Sequence, residues 1–242
     1  MEVQIAVSKV KKYATSTSGD TVEVIERPNG GVSVVMADGQ SSGRGAKWVS
    51  SFVVRKVISL LAEGVRDGAA ARAAADALFT ERKGKVSATL TILSADLLSE
   101  TIVCTRNNPA PVLMAHNETI TVLSEESPPI GFRRNIRPVI NQFDLRPSLT
   151  LVTFTDGILH AGSRDGQSMD TATCLQSILD EGNPTSQEIA DSLLHHALRL
   201  DQGRPCDDIT VVVLRVLSMD ETDSRHGENL IRRMTVRLPI QK

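Results

Sequence analysis

Residues 32–39 read VSVVMADG, an apolar run that ends in an aspartate and a glycine. Residues 149–157, LTLVTFTDG, have the same arrangement, and residues 207–216, DDITVVVLRV, place two aspartates before a third apolar run. Short runs rich in valine, leucine and threonine are typical of buried β-strands. The chain therefore presents acidic residues at the ends of three predicted strands, where one edge of a sheet can bring them together.

Four aspartates are the candidate metal ligands at this predicted edge. Asp38, Asp156 and Asp207 lie at the three strand ends, and Asp20 follows Gly19 just before the first strand. Carboxylates gathered in one place repel one another unless a cation lies between them, and a set of oxygen ligands suits Mg²⁺ or Mn²⁺. Four carboxylates are enough for a site with two metal ions.

The composition favours a single globular domain and excludes several classes of function. The 242 residues can bury a full core, and the net charge of −2 comes from 29 acidic and 27 basic residues without large blocks of one sign. Aromatic residues make up only 3% of the chain, so platforms that stack nucleic-acid bases are not expected. We therefore expect neither nucleic acid nor a membrane surface as a partner.

The cysteines and the apolar segments indicate a cellular compartment. The three cysteines are far apart and odd in number, which argues against a disulfide framework and against a cysteine-rich zinc site. The five histidines lack the spacing of a zinc site as well. Residues 1–7 alternate as a strand does, and no stretch is long and apolar enough to span a bilayer. We therefore expect a soluble cytoplasmic protein.

The first third of the chain predicts a hairpin and two helices. Thr21–Arg27 and Val32–Ala37 flank a Pro-Asn-Gly-Gly turn, which predicts a β-hairpin. Apolar residues then recur at steps of three and four over Ala46–Glu63, which predicts an amphipathic helix. An alanine-rich second helix follows from Asp67 and is expected to pack on a sheet.

The rest of the chain predicts five strands, two helices and a last strand, and hence an α+β layered domain with helices outside stacked sheets. The five strands are Val86–Ser94, Glu100–Thr105, Val112–Ala115, Ile120–Leu123 and Ile136–Phe143. Their short connections predict an antiparallel meander. Helices are predicted at Thr171–Leu179 and after the capping-box sequence Thr185–Glu188, and Ile209–Leu217 returns to strand.

The C-terminal segment, residues 218–242, extends beyond a predicted domain of residues 1–217. Ser218–Asn229 is polar and predicts a loop, and Ile231–Pro239 alternates as an amphipathic strand does. We favour an edge strand that completes a sheet of the same molecule. The alternative is a strand that pairs with a neighbouring subunit or a regulatory partner, because an unpaired edge is a ready template.

Six short motifs occur in one order, and the order is far more specific than any single motif, since an Asp-Gly after a strand is an ordinary turn. They are Gly19-Asp20, Asp38-Gly39-Gln40-Ser41-Ser42-Gly43, Asn108-Pro109-Ala110-Pro111, Pro129-Ile130-Gly131, Phe154-Thr155-Asp156-Gly157 and Asp207-Asp208-Ile209-Thr210. The set resembles the metal-dependent protein serine/threonine phosphatase family (protein phosphatase 2C-like). It is most similar to the bacterial branch of stage-II-sporulation-protein-E and stressosome-phosphatase type. The resemblance covers residues 3–217, and the predicted phosphatase domain is residues 1–217.

The resemblance implies a four-layer α-β-β-α sandwich, with two antiparallel sheets flanked by helix pairs and a centre of two Mn²⁺ or Mg²⁺ ions, a third ion being left open. Asp38 resembles the bridging carboxylate, and Gly39 resembles the residue whose backbone oxygen also binds metal. Asp156 and Asp207 resemble further ligands, and Asp20 resembles the acidic residue that completes the second metal site. Asp38, Asp156 and Asp207 are thus the expected catalytic residues. Two hard cations would polarise a shared water into a hydroxide that attacks phosphorus in line.

Several residues depart from the family pattern. Arg106 and Asn107 replace a Gly-His pair, and Ser41 replaces a glycine of the metal loop, where a φ above zero is expected. His160 stands where glutamate is frequent. None of these four is a predicted ligand, so we expect them to affect substrate fit rather than chemistry. Asp208 lies in a slot where many relatives carry asparagine.

The implied activity is hydrolysis of phosphoserine or phosphothreonine on a bacterial regulatory protein, with a STAS-domain protein in a stress-response or sigma-factor pathway as the implied partner. One alternative is a catalytically inactive, phosphatase-shaped binding module, which would need a lost metal ligand, although all four carboxylates are present. Another is a metal phosphohydrolase for small molecules, which shares the chemistry. The sequence leaves open the substrate protein, the preferred metal and the oligomeric state.

Overall fold

The computed structural model describes residues 1–117, 119–218 and 232–237, which form ten strands and five α-helices. The strands are β1 (Glu2–Val10), β2 (Asp20–Glu26), β3 (Val32–Gly39), β4 (Ala88–Asp96), β5 (Thr101–Asn107), β6 (Val112–His116), β7 (Thr119–Leu123), β8 (Val139–Asp144), β9 (Thr150–Phe154) and β10 (Ile209–Leu217). The helices are α1 (Gly43–Ala62), α2 (Asp67–Arg82), α3 (Gly157–His160), α4 (Thr171–Asp180) and α5 (Ser186–Leu200), with a 3-10 turn at Ser163–Asp165. Within these ranges no helix has both the length and the apolar character needed to cross a membrane.

The ten strands form two antiparallel sheets of five strands each. The first sheet has the order β1-β10-β9-β6-β7, and the second has the order β2-β3-β4-β5-β8. Helices α1 and α2 pack on the second sheet, and α4 and α5 pack on the first. The layers therefore follow the predicted order α-β-β-α.

The predicted meander is wrong, because the chain changes sheets within it. β4 pairs with β5 and β5 pairs with β8, whereas β6 pairs with β7 and with β9 in the other sheet. Stacked sheets lie only about 10 Å apart, so a short connection can cross between them as readily as it closes a hairpin. The segment between β7 and β8 then returns to the second sheet, where Ile130 forms an isolated antiparallel bridge with Ala88.

Alternate side chains of the central strands face two different cores. In β3, Val34 and Met36 lie between the two sheets, whereas Val35 and Ala37 belong to the core under α1 and α2. β10 divides its side chains between the sheet–sheet core and the core under α4 and α5 in the same way. Because both faces of such a strand are covered, apolar residues are favoured at every position. This packing explains the continuous apolar runs in the sequence.

Helix α1 carries the chain's single tryptophan on its outer face. The Trp48 side chain is 42% exposed, and its ring stacks on Phe52 at a centroid distance of 5.3 Å. The guanidinium carbon of Arg82 lies 4.9 Å from the centroid of the Trp48 ring. The buried face of the helix, from Ala46 to Leu61, packs on the second sheet. Helix α1 thus begins at the loop after β3, packs one face on the second sheet and exposes Trp48 on the other face.

Residues 232–237 form neither helix nor strand, and all six are exposed. The strand predicted at Ile231–Pro239 is therefore not formed over these residues. Arg232 makes an ion pair with Glu26 at 3.3 Å, next to the turn of the β2–β3 hairpin. Residues 219–231 and 238–242, which include most of the predicted loop and the two ends of the predicted strand, lie outside the described residues.

Candidate metal centre

The four predicted aspartate ligands lie at one end of the sandwich, two from each sheet. Asp20 begins β2, Asp38 is the last but one residue of β3, and the two are direct cross-strand partners. Asp156 lies two residues after β9, and Asp207 lies two residues before β10, with which β9 is paired. In an antiparallel pair the end of one strand lies beside the start of its neighbour. The pairing of each strand couple therefore brings its two acidic ends together.

Asp20 is fully buried and is held by residues from several elements. Its Oδ2 accepts hydrogen bonds from Thr155 Oγ1 at 3.1 Å and from Thr210 Oγ1. Its backbone oxygen accepts from the amines of Lys9 and Lys47, at 2.7 and 2.8 Å. Its Oδ1 is buried and has no hydrogen-bond donor among the described residues. A buried carboxylate oxygen in that state needs a proton or a cation, so Asp20 fits the role of a metal ligand.

The acidic side chains at this end oppose one another's ionisation. Burial, reinforced by the nearby charges of Asp20, Asp156 and Asp207, raises the pKa of Asp38 to about 9. Burial also raises the pKa of Asp20. It raises the pKa of Asp156 too, although the neighbouring His160 acts in the opposite direction. Burial thus disfavours the charged forms of Asp20, Asp38 and Asp156, and a cation bound among them would offset this cost.

Backbone geometry shapes the loop between β3 and α1. A Cβ atom on Gly39 would lie 2.1 Å from the backbone oxygen of Ala46, so only glycine fits at that position. Ser41 has a φ of 78°, in the left-handed region that disfavours L side chains. This confirms the expectation that the position requires a φ above zero. Gly39 directly follows Asp38 in the chain, and its close packing on Ala46 fixes its backbone there. The backbone oxygen of Gly39 is the predicted backbone ligand.

The second of the two adjacent aspartates has a structural role. Asp208 is buried, and its Oδ1 accepts a hydrogen bond from the backbone N–H of Lys12 at 2.8 Å. Its Oδ2 accepts from the N–H of Gly19 at 2.7 Å. Both oxygens thus hold the segment that leads into Asp20. Asp207 is the member of the pair that lies beside Asp156, so its role as a metal ligand stays a prediction.

Asp207 belongs to a cluster with Asp156 and His160. One ligand atom of each residue lies within 4.8 Å of the other two. His160 is the last residue of α3, and its N–H donates to the backbone oxygen of Asp156 at 3.0 Å. Sequence reasoning misses His160 as a member of this cluster. Its position four residues after Asp156 is the signal that could reveal it, because such residues share one face of a helical turn.

Arg106 and Asn107, two of the residues that depart from the family pattern, hold the segment between β7 and β8 through hydrogen bonds. Arg106 is fully buried, and its guanidinium donates to the backbone oxygen of Glu125 at 2.9 Å and to its carboxylate at 2.8 Å. Asn107 Nδ2 donates to the backbone oxygens of Pro128 and Arg137, both at 3.3 Å. These two replacements therefore fix a loop at the edge of the second sheet.

Comparison with known sequences gives one family. The family model described as stage II sporulation protein E matches residues 28–217. The chain is 23% identical to stage II sporulation protein E of Bacillus subtilis (strain 168) over 232 residues, which cover 88% of this chain and 27% of that protein. Overall, the chain spans about a third of the length of the curated relatives it matches.

Solved structures share the fold at low sequence identity. The PP2C phosphatase domain of SpoIIE from Bacillus subtilis, solved with a fragment of its regulatory domain, matches with a TM-score of 0.77 and 20% identity, covering 90% of this chain and 64% of that chain. The catalytic domain of the serine/threonine phosphatase PstP, solved with two manganese ions, matches with a TM-score of 0.67 and 17% identity, covering 89% and 99%. The fold is thus that of the protein phosphatase 2C group, and the match over most of its length places this chain in the stage II sporulation protein E family.

Proposed function

We propose that this chain is a metal-dependent phosphatase that hydrolyses phosphoserine or phosphothreonine on a bacterial regulatory protein in the cytoplasm. The observation that carries the proposal is the meeting of Asp20, Asp38, Asp156 and Asp207 at one end of the sandwich, with a buried oxygen of Asp20 that has no donor among the described residues. Membership of the stage II sporulation protein E family and the phosphatase 2C fold support the reaction class.

Asp20, Asp38, Asp156, Asp207 and the backbone oxygen of Gly39 would hold two Mn²⁺ or Mg²⁺ ions. When bound, the ions supply an activated water and neutralise charge that develops on the phosphoryl group. Asp38 would hold the ions together with ligands from both sheets, because it pairs with Asp20 on its own sheet and lies near the charges of Asp156 and Asp207 from the other sheet.

A covalent route through cysteine is disfavoured by the positions of the thiols. Cys104 is buried between the two sheets, and burial raises its pKa to about 12. Burial also raises the pKa of Cys206, next to Asp207, and the neighbouring Asp201 adds to this shift. A catalytic thiol requires the opposite shift, toward the thiolate. Direct attack by an activated water therefore fits this centre better than a cysteinyl intermediate.

The proposed substrate is a phosphorylated STAS-domain protein, on the ground of the family resemblance. Two other readings of the same centre remain testable: a phosphohydrolase for small molecules and an inactive binding module. The retention of all four carboxylates and their mutual proximity favour an active enzyme over the inactive module.

The test measures release of phosphate from p-nitrophenyl phosphate, a phosphoserine peptide and a phosphorylated STAS protein, each with Mn²⁺, Mg²⁺ or EDTA. We expect turnover with metal, none with EDTA, and the highest kcat/KM for the phosphoprotein. Asp38→Ala should reduce turnover to the EDTA level, whereas Asp180→Ala, which removes an exposed carboxylate at the end of α4, should leave turnover unchanged. Failure of all three substrates with saturating metal would support the inactive module.

A further inference from the structure

A histidine joins two of the aspartates at the proposed metal centre. His160 offers an imidazole nitrogen within 4.8 Å of ligand oxygens of both Asp156 and Asp207. The side chain of His160 is exposed, and no hydrogen bond or ion pair within the described ranges engages its ring. The imidazole is therefore available to an ion at the position that the two carboxylates define.

The fold fixes the place of His160 in the short helix α3. Ile158 and Ala161, on either side of it, are fully buried in the core under α4 and α5. At the start of the helix, a Cβ on Gly157 would lie 2.1 Å from the backbone oxygen of Asp208, so the turn is packed directly against the chain that enters β10. These contacts keep His160 one turn after Asp156 and beside Asp207.

An independent observation indicates that a cation belongs at this end of the molecule. Asp20 Oδ1 is buried without a hydrogen-bond partner in the described part of the chain, and Asp38, the cross-strand partner of Asp20, is close enough to affect the pKa of Asp20. Two neighbouring buried carboxyls are stable only with a shared proton or a cation. The cluster of Asp156, His160 and Asp207 therefore lies next to buried carboxyls that require a proton or a cation.

We propose that His160 supplies an imidazole ligand to the ion held by Asp156 and Asp207, and that it shifts the preference of the centre from Mg²⁺ toward Mn²⁺, Fe²⁺, Co²⁺ or Zn²⁺. The proposal rests on the proposed phosphatase function and names its metal class. Mg²⁺ takes oxygen ligands almost exclusively, whereas the first-row transition-metal ions also accept imidazole nitrogen, with an affinity that rises from Mn²⁺ through Co²⁺. A glutamate at this position would keep the ligand set all-oxygen.

The first test is pulsed electron paramagnetic resonance of the Mn²⁺-loaded full-length protein at pH 7.5, which detects the nuclear modulation of a directly bound nitrogen. We expect a nitrogen signal from the unaltered protein and its loss in His160→Gln and His160→Glu. His195→Gln is the matched control, because His195 is exposed on α5, and this variant should keep the signal. A signal that persists in both His160 variants, or is absent from the unaltered protein, would overturn the proposal.

The second test compares metal affinities by titration calorimetry. The ratio of the Mg²⁺ to the Mn²⁺ dissociation constant should fall by about tenfold or more in His160→Glu, in the range typical for altered metal surroundings. An unchanged ratio would overturn the proposal even if the variant loses activity, since His160 would then act on the substrate, for example as a proton donor. Binding of Mn²⁺ without a nitrogen signal would leave the phosphatase proposal standing, whereas no Mn²⁺ binding at all would remove both.

Discussion

At the scale of single residues, the candidate centre consists of aspartates whose burial disfavours the ionised form of their side chains. Asp38 has acidic neighbours from both sheets, and the raised pKa values of Asp20, Asp38 and Asp156 all follow first from burial. The folded protein therefore holds these carboxyls in a state that protons or metal ions must stabilise. The consequence is measurable without any substrate.

We expect the metal-free protein to lose stability as the pH rises from about 4 toward 9. The folded-state pKa values, about 9 for Asp38, lie above the value of about 3.9 for an aspartate in the unfolded chain. The stabilisation by these protonated groups is thus complete below about pH 4 and is lost as the pH rises through the folded-state pKa values. Urea denaturation in EDTA at a series of pH values measures the slope.

Asp38→Asn is the matched control for this pH dependence, because it removes the charge and keeps the shape. We expect a shallower slope and, at pH 8 in EDTA, a gain in the free energy of unfolding of a few kcal/mol, because an aspartate ionises in the unfolded chain at this pH whereas the folded Asp38 keeps its proton, and an asparagine removes this difference. The same variant should lose metal-dependent turnover. A slope equal to that of the unaltered protein would show that Asp38 is not the strained acid.

We expect Ser41→Gly to stabilise the protein by up to about 1 kcal/mol, because a residue with a side chain at φ 78° carries a conformational penalty of roughly that size. Glycine also increases the freedom of the unfolded chain, which offsets part of the gain. Ser41→Ala keeps the backbone penalty and is the control, with little change expected. The urea midpoint in EDTA measures both, and equal midpoints for the two variants would contradict the prediction.

At the scale of elements, the sequence predicts helices, turns and hairpins better than it predicts which distant strands pair with one another. The capping box Thr185–Glu188 begins α5 as predicted, because both of its hydrogen bonds are made within four residues. The predicted β2–β3 hairpin is present for a similar reason. The transfer of β6 to the first sheet depends instead on pairings such as Leu113 with Val152, which no local pattern contains.

The same limit applies to the centre. The aspartates at strand ends could be predicted because Asp-Gly after an apolar run marks a strand terminus. The side chains that hold Asp20 could not be predicted, because their contacts join elements that are distant in the sequence. They are Thr155, Thr210, Lys9 and Lys47.

We expect Thr185→Ala to lower the free energy of unfolding by about 1 kcal/mol, the usual loss for a helix N-cap. The Thr185 hydroxyl accepts from the N–H of Glu188 at 3.2 Å, and the helix that it begins packs on β1 and β10. Thr80→Ala, an exposed helical threonine on α2, is the control and should change stability by less than about 0.5 kcal/mol. Urea denaturation with an unchanged m-value is the measurement, and equal losses for the two variants would rule out a special role for the cap.

At the scale of the whole molecule, the two sheets each bring two carboxyls to one end, so an ion bound there would connect the halves of the sandwich. We expect Mn²⁺ to stabilise the protein by about 2.7 kcal/mol per site at roughly 100 times the dissociation constant. For a chain of this size each kcal/mol raises the melting temperature by about 2–4 °C. EDTA should reverse the shift, and Asp38→Ala should reduce it. An unmoved melting curve at saturating Mn²⁺ would show that the four aspartates bind no metal.

Removal of Ser218–Lys242 should leave the fold and the turnover of p-nitrophenyl phosphate intact. The exposed Arg232–Glu26 pair is worth at most about 1 kcal/mol, and Glu26 lies at the opposite end of β2 from Asp20. Arg232→Ala tests that pair alone and should be nearly neutral. Unfolding of the truncated protein would show that the segment belongs to the core. Retained turnover with a sedimentation coefficient that falls from the dimer value of the full chain to the monomer value would instead indicate that the segment binds another subunit.

The position of Trp48 gives the molecule an optical signal of its own. As the chain's single tryptophan, it is the sole source of indole emission. The ring contacts both Phe52 and Arg82 near the start of α1. Trp48 follows Lys47 in the chain, and the amine of Lys47 donates to the backbone oxygen of Asp20. Binding of Mg²⁺, which does not quench emission, should therefore change the wavelength or the intensity of the Trp48 emission. Ion binding can then be followed in solution without a label.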